Sequence, residues 1–158
     1  MKPEPAPAIA GNDAGQRCMT RDEVVGFFAR RQELFDDLDA AKLAADYSDD
    51  ALIESPMAGV HKGPVAAEQA FRAVFGAFLD QKVKTERLLI DGNFVAQFVS
   101  IAGTHVGPFM GLQPTGRRFR LNAVFLIELR DRKIVREQRI YDFTGLMVQI
   151  GALKAKPS

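Results

Sequence analysis

The spacing of hydrophobic residues changes in the middle of this chain and separates a helical half from a strand-forming half. Up to Phe78, apolar residues recur every three or four positions, as on one face of a helix. From Val83 onward they recur at every second position, as in a strand with one buried face. Helices first and strands later predict an α+β domain, with three N-terminal helices packed on one face of a curved antiparallel sheet.

The folded domain is predicted to begin at Thr20. Thr20 and Glu23 form a capping box, in which each side chain accepts a hydrogen bond from the other residue's backbone amide at the start of a helix. The apolar face of this helix consists of Val24, Phe27, Phe28, Leu34 and Phe35. Residues 1–19, rich in proline, alanine and glycine without periodicity, are predicted to be a disordered tail. Residues 20–158 are predicted to form a single domain.

Two further helices precede the long strands. The second helix is short, is capped by Asp37 or Asp39, and runs through Tyr47. The third helix starts at Gly63-Pro64, because proline suits the first helical position, where its missing amide costs nothing. Between these helices, residues 51–55 form a short strand that is followed by a loop.

Two hairpins account for the second half of the chain. Strands over residues 83–91 and 94–105 are joined at Asp91-Gly92-Asn93, which is typical of a tight turn. Strands over residues 118–130 and 133–141 form the second hairpin.

Composition and charge exclude several classes of function. The chain has 158 residues, of which 47% are hydrophobic and 26% charged, as in an ordinary globular domain. Its net charge of +1 leaves no basic surplus to neutralise phosphates, so no nucleic acid partner is expected. No apolar run approaches the roughly 20 residues that span a bilayer, and the N-terminus lacks the pattern of a signal peptide. The single cysteine, Cys18, cannot form an internal disulfide. We therefore expect a cytoplasmic protein with no membrane partner.

Apolar residues occupy both faces of two central strands, over residues 94–101 and 123–127. An antiparallel sheet with one face in water alternates more strictly than this. We therefore expect a homodimer in which a second subunit covers part of the outer face of the sheet.

Several motifs resemble those of the SnoaL-like polyketide cyclase family, within the nuclear transport factor 2-like superfamily. The matching stretches are Asp37-Leu38-Asp39-Ala40, Tyr47-Ser48-Asp49-Asp50-Ala51, Ser55-Pro56-Met57, Gly103-Thr104-His105-Val106-Gly107, Pro114-Thr115-Gly116, Lys133-Ile134-Val135, Gly145-Leu146 and Gln149-Ile150-Gly151. The resemblance covers about residues 20–151. It implies a cystatin-like α+β cone that encloses a cavity for a small hydrophobic molecule.

The resemblance also implies a reaction, the closing of a ring by intramolecular aldol condensation without metal or organic cofactor. In the family, a carboxylate in the cavity removes a proton and neighbouring polar groups stabilise the enolate. That carboxylate is an Asp in a His-x-Asp stretch of the last strand, where this chain has Glu137 and Arg139 instead. The assisting His of the preceding strand falls near Phe125. The chain itself has no metal-ligand spacing, phosphate-binding loop or nucleophile elbow, so we expect no cofactor.

The register of the second hairpin decides which side chains share a face. A two-residue turn at Asp131-Arg132 pairs Leu126 with Glu137, whereas a three-residue loop with a bulge pairs Phe125 with Glu137. The family's glycine at the position of Arg132 favours the bulged form, since that residue would be left-handed. In that register one wall of the cavity is formed by Leu121, Ala123, Phe125, Ile127, Val135, Glu137, Arg139 and Tyr141.

Glu137 and Arg139 are the first candidates for chemistry. On one interpretation Glu137 is a general base, and Arg139 binds a developing enolate or an anionic substrate. On the other, they form a buried ion pair or the rim of an exposed strand.

His105 and Tyr141 are the remaining candidates. His105 could shuttle protons, because its ordinary pKa lies near neutrality, or it could fix the glycine-rich loop that follows it. Tyr141 could donate to a substrate oxygen or close a hydrogen-bonded network in the core. Asp142 is predicted to cap the last helix.

The predicted function is a cofactor-free cyclase or isomerase that acts on a hydrophobic carbonyl compound. Two alternatives stay open, a hydrolase resembling limonene epoxide hydrolase and a non-catalytic module for ligand binding or dimerisation. The residues assigned to the site are Glu137, Arg139, His105 and Tyr141.

Overall fold

Four helices and six strands make up the described part of the chain, residues 18–154, in a computed structural model. In chain order they are α1 (Arg21–Asp36), α2 (Ala40–Ala44), β1 (Tyr47–Ser55), β2 (Gly59–Lys62), α3 (Gly63–Ala77), β3 (Lys82–Asp91), β4 (Phe94–Thr104), β5 (Arg118–Arg130), β6 (Lys133–Tyr141) and α4 (Phe143–Gln149). The predicted tail lies outside the described residues, apart from its last two positions.

The predicted helix starts are confirmed by their caps. The amide of Glu23 donates to the Thr20 hydroxyl over 3.2 Å, and the amide of Thr20 donates to the Glu23 carboxylate over 2.9 Å. Asp39 caps α2 by accepting from the amide of Lys42. The predicted extension of this helix through Tyr47 is wrong, because α2 ends at Ala44 and Tyr47 begins β1. Pairing with a distant strand outweighs local helix preference there.

The six strands form one sheet in the order β2-β1-β6-β5-β4-β3, and helices α1 to α3 pack on one face of it. This confirms the predicted α+β class. The sheet is mixed rather than wholly antiparallel, however, because β1 runs parallel to β6 while the other neighbouring pairs are antiparallel. The segment predicted as a loop after the first strand also contains a strand, β2, which pairs with β1 at the edge of the sheet.

The second hairpin has neither of the two predicted registers. Its turn has two residues, Asp131 and Arg132, and both are left-handed, with φ of 49° and 62°. A shift of register near Val135 follows, so that Ile127 lies opposite Glu137. The extra residue therefore sits in β6 instead of in the turn.

This register still places Phe125, Glu137, Arg139 and Tyr141 on one face of the sheet. It differs from the bulged prediction by two residues, and side chains two residues apart in a strand point to the same face. Phe125 consequently lies opposite Arg139, and Ala123 lies opposite Tyr141.

Buried apolar side chains form two clusters. The larger one lies between helices α1 to α3 and the sheet. The smaller one gathers Phe78, Phe109, Phe119, Leu146 and Ile150 near the β4–β5 loop and α4. A cavity of about 100 Å³ lies between the two clusters and is lined by members of both. The fold thus places an apolar cavity where the last strands, α3 and the β4–β5 loop meet.

Candidate active site

The cavity is lined mostly by aromatic and aliphatic side chains. Among the described residues, its polar lining consists of Gln81, Arg139 and Tyr141. Arg139 and Tyr141 are two residues apart on β6 and so share its inner face. No carboxylate or histidine is among the described residues that line the cavity. The wall therefore offers mainly hydrogen-bond donors to a bound molecule.

Arg139 is held between two aromatic rings. Its guanidinium carbon lies 5.3 Å from the ring centre of Phe71 and 5.4 Å from that of Phe125, a geometry that favours cation–π attraction. Its Nε donates to an oxygen of Glu137 over 2.5 Å, and its Nη2 lies 3.4 Å from the hydroxyl of Tyr47. A guanidinium has five N–H groups, so these two contacts leave donors of Arg139 for the cavity.

Glu137 lies behind Arg139, outside the cavity wall. Its side chain is 2% exposed, and its second oxygen accepts from the Tyr47 hydroxyl over 2.6 Å. Burial alone would raise the pKa of Glu137, but the guanidinium groups of Arg139 and Arg31 and the hydrogen bond from Tyr47 hold it below its ordinary value. The carboxylate is therefore ionised near neutrality, and each of its oxygens has a donor.

Arg139 is likewise charged near neutral pH. Burial acts to lower the pKa of Arg139, but the adjacent Glu137 carboxylate outweighs this effect and raises it. Burial and the same carboxylate raise the pKa of Tyr47 as well, so its hydroxyl remains a donor. Tyr47, Glu137 and Arg139 form a buried triad. At neutral pH its carboxylate is ionised, its guanidinium is charged and its hydroxyl is protonated.

Two supporting residues, Tyr47 and Arg31, were missed or ranked low from the sequence. Tyr47 was predicted as the end of the second helix and not as a contact of Glu137. Arg31 is 3% exposed and donates to Asp46 over 2.7 Å and to the Leu43 carbonyl over 3.1 Å. Arg31 lies four residues from both Phe27 and Phe35, so it is on the apolar face of α1. A charged residue on that face is the feature of the sequence that could have identified Arg31 as a supporting residue.

His105 is not among the described residues that line the cavity. It is fully buried, and its Nδ1 lies 3.3 Å from the Thr115 amide and 3.1 Å from the Thr115 hydroxyl. Its ring packs near Phe78 and Phe109, with ring centres 5.7 Å and 6.2 Å away. Its backbone also pairs with the far end of the loop through Gly116 and Arg117. These contacts fit the interpretation that His105 fixes the β4–β5 loop.

Gly107, the last residue of the Gly-Thr-His-Val-Gly motif, is required by a close backbone approach. The amides of Val106 and Gly107 both donate to the Ala77 carbonyl at the end of α3, over 2.9 and 3.1 Å. A Cβ atom at position 107 would overlap the Gly76 carbonyl oxygen. The motif therefore anchors the loop on α3.

Tyr141 lines the cavity directly. Burial raises the pKa of Tyr141, which keeps its hydroxyl protonated and able to donate. The next residue, Asp142, caps α4 by accepting from the Gly145 amide over 2.7 Å, as predicted.

Residues 18–154 contain neither a membrane-spanning helix nor a metal-binding cluster. No helix in that range is long and apolar enough to cross a membrane. No group of three or more His, Cys, Asp or Glu side chains there could hold a metal ion.

The chain is similar to several known proteins. A family model described as SnoaL-like polyketide cyclase matches residues 27–150. Nogalonic acid methyl ester cyclase of Streptomyces nogalater is 33% identical over 107 residues, which are 67% of this chain and 78% of that protein. The solved structure of AclR from Streptomyces galilaeus has a TM-score of 0.76 at 22% identity, covering 88% of this chain and 87% of AclR. IdmH from Streptomyces antibioticus has a TM-score of 0.68 at 25% identity, covering 80% of this chain and 97% of IdmH.

Proposed function

The chain belongs to the SnoaL-like polyketide cyclase family, and on that premise we propose that it enolises a hydrophobic carbonyl compound in a cyclase- or isomerase-type reaction. Family membership supports the cyclase-type function. The observation that carries the finer proposal is the charged guanidinium of Arg139, which lines an apolar cavity and keeps donors free of the buried triad.

In this proposal, Arg139 binds the substrate's carbonyl oxygen and Tyr141 provides a second donor. A water molecule that enters with the substrate takes the proton from the adjacent carbon, and the negative charge moves to that oxygen, where a fixed cation in apolar surroundings is most effective. The enolate carbon then attacks a second carbonyl of the same molecule and closes a ring, and the new alkoxide takes the proton back from the water, or the enolate is reprotonated by that water at another carbon. All of this chemistry proceeds without a cofactor.

Glu137 has two possible parts in the reaction, and the contacts favour positioning over proton abstraction. Both of its oxygens accept hydrogen bonds, and its lowered pKa makes it a weak base. To take a proton, Glu137 would first have to lose its bond from Arg139. We therefore propose that Glu137 and Tyr47 hold the guanidinium in place and that Arg139 and Tyr141 contact the substrate.

Hydrogen–deuterium exchange beside a carbonyl tests the proposal without knowledge of the natural substrate. Cyclohexanone in D₂O is incubated with the protein, and exchange at its α-carbon is followed by NMR. We expect at least tenfold acceleration over buffer and a loss of most of it in Arg139→Lys, which keeps the charge but not the planar donors. Arg136→Lys on the outer side of β6 is the matched control and should exchange like the wild type. Exchange no faster than in buffer, or an unaffected Arg139→Lys variant, contradicts the proposal.

Ligand binding without turnover is the second candidate function. The absence of carboxylate and histidine from the described cavity wall favours it, because no strong base is in contact with the cavity. The same absence removes support for the epoxide hydrolase alternative, which needs carboxylates around an arginine to activate water. Binding of cyclohexanone without accelerated exchange would identify the protein as a binding module.

We also propose that the protein forms a homodimer through the outer face of the sheet. Apolar side chains exposed on this face are Leu89, Phe94, Phe98, Leu126 and Ile140, each 38% to 54% accessible. An apolar surface of this kind favours burial by a second copy. Light scattering after size-exclusion chromatography should give twice the monomer mass, and Leu126→Lys should reduce it to the monomer mass. A monomeric wild type contradicts this proposal.

A further inference from the structure

Gln81 is the polar residue of the cavity wall that the proposed reaction does not use. It lines the cavity and is 5% exposed. No group within residues 18–154 forms a hydrogen bond with its side-chain amide. Both the donor and the acceptor of this amide are therefore left for a molecule in the cavity.

Other glutamines inside the fold use their amides within the protein. Gln97, which is 4% exposed, donates to the Thr85 hydroxyl over 2.9 Å. Gln32 donates to the Val83 carbonyl and accepts from the Thr85 amide over 3.0 Å. Burial of an amide without a partner costs stability, so buried amides usually have one. The unbonded amide of Gln81 is explained if a ligand supplies the partner.

Gln81 is fixed by contacts of its neighbours and of its own backbone. Its backbone amide donates to the Phe78 carbonyl over 3.0 Å, in the turn that follows α3. The carboxylate of the preceding Asp80 accepts from the amide and the hydroxyl of Thr104, each over 2.7 Å. A Cβ atom at Gly103 on β4 would lie 3.3 Å from the Cα and the Cβ of Gln81, so the missing side chain leaves room there. A residue held in place before the ligand arrives favours binding.

Gln81 and Arg139 reach the cavity from different parts of the sheet. Arg139 belongs to β6, whereas Gln81 immediately precedes β3, which is three strands away in the sheet. At about 4.8 Å between neighbouring strands, β3 and β6 are roughly 14 Å apart across the sheet. A ligand whose carbonyl oxygen is bound by Arg139 therefore meets Gln81 with a part that is remote from the reacting carbon.

We infer that Gln81 binds a hydroxyl or carbonyl oxygen of the ligand, remote from the reacting carbonyl. An amide donates and accepts hydrogen bonds, as a hydroxyl does. It has no charge to offset that of a carboxylate or ammonium group, which would be costly to bury beside it. The oxygen that Gln81 binds is therefore neutral. This inference rests on the proposed function in one respect, that the cavity is the ligand site.

The test uses 4-(4-hydroxyphenyl)cyclohexanone and 4-(4-methylphenyl)cyclohexanone, which differ in one group far from the carbonyl. Hydroxyl and methyl groups are similar in size, so the ratio of the two dissociation constants, measured by NMR titration, reports on the hydrogen bond. Wild type should bind the hydroxyl compound more tightly. Gln81→Met keeps the length of the side chain without its amide and should shift the ratio at least tenfold toward the methyl compound. Gln113→Met, at an exposed glutamine, is the control and should keep the wild-type ratio.

A stability measurement separates ligand contact from a structural role. Replacement of an amide that has no protein partner by an apolar group of similar shape should leave the urea midpoint unchanged or raise it. Gln97→Met, which removes the amide bonded to Thr85, should lower the midpoint. If Gln81→Met lowers the midpoint as much as Gln97→Met, the protein itself uses the Gln81 amide and the inference is overturned.

The remaining outcomes are also decisive. An unchanged ratio in Gln81→Met, or an equal shift in Gln113→Met, overturns the inference alone. Failure of both ketones to bind to any of these proteins overturns it together with the cavity as the ligand site. The expected shift, without accelerated exchange of cyclohexanone in any protein, leaves the inference standing and overturns the proposed enzymatic function.

Discussion

Arg139 and His105 are polar residues at inward-facing positions, Arg139 partly buried and His105 fully buried, yet they have different surroundings. Arg139 lines the cavity and keeps donors that the protein does not use. His105 contacts Thr115 with one nitrogen, packs near the rings of Phe78 and Phe109, and is not among the described residues that line the cavity. A buried polar side chain is therefore a weak indicator of chemistry by itself. Access to the cavity distinguishes the two residues, and the following predictions test that distinction.

The largest effect is expected from Arg139→Gln. This change leaves the Glu137 carboxylate buried without its cation, which typically costs about 3–5 kcal/mol of unfolding free energy. Urea denaturation measures the loss, with exposed Arg136→Gln as a control that should change stability by about 0.5 kcal/mol or less. A loss below about 1 kcal/mol would mean that water reaches Glu137.

A smaller loss is expected from Tyr47→Phe. The change removes a hydrogen bond to a buried carboxylate, and such bonds to charged groups contribute about 1.5–3 kcal/mol. Tyr141→Phe is the matched control. The Tyr141 hydroxyl interacts with Ser55 and the Met57 backbone, so this variant should lose less stability than Tyr47→Phe and should weaken ketone binding. Equal loss of stability in the two variants would place Tyr141 in the same network.

His105 variants should lose stability and keep the activity. His105→Leu removes the acceptor for the Thr115 amide and should cost about 1–3 kcal/mol. His105→Asn keeps an acceptor near the position of Nδ1 and should recover part of that loss. Both variants should retain exchange of cyclohexanone. A well-folded His105→Asn variant without exchange would show that His105 acts on the substrate.

The smallest expected effect is the loss of stability at acid pH. Because the pKa of Glu137 is lower in the folded protein than its ordinary 4.5, the unfolded chain binds its proton more readily. Its contribution to stability is thus present above pH 4.5 and is lost as the pH falls below that value through the folded pKa. Denaturation between pH 7 and pH 3 should show a steeper loss in wild type than in the double variant Glu137→Gln with Arg139→Gln. Equal slopes would contradict the lowered pKa.

Local signals predicted much of the fold. The capping box at Thr20, the Gly63-Pro64 helix start and the limits of β5 and β6 were correct, because each depends on a few adjacent residues. The parallel pairing of β1 with β6 was not predicted, since nothing near either strand specifies a partner so far along the chain. The shift of register at Val135 likewise depends on packing rather than on turn sequence.

The site was predicted in part. Strand alternation placed Glu137 and Arg139 side by side on the inner face. It could not show that Arg139 would reach the cavity while Glu137 stayed behind it, because this depends on the rings of Phe71 and Phe125. The contact of Tyr47 with Glu137 was not predicted either. It depends on the parallel pairing of β1 with β6, which no local signal specifies.

That parallel pair also has a consequence for how the protein is made. β1 leaves the ribosome early, but its partner β6 is synthesised after four other long elements, α3, β3, β4 and β5, and Tyr47 is separated from Glu137 by 90 residues. Contacts between such distant segments form slowly, because a long loop must close before they contribute. Until then the inner edge of β1 has no strand beside it, and β1 and β2 can form only a two-stranded hairpin. Joining of the two halves of the sheet, and with it completion of the buried triad, is therefore a late step in the folding of the nascent chain.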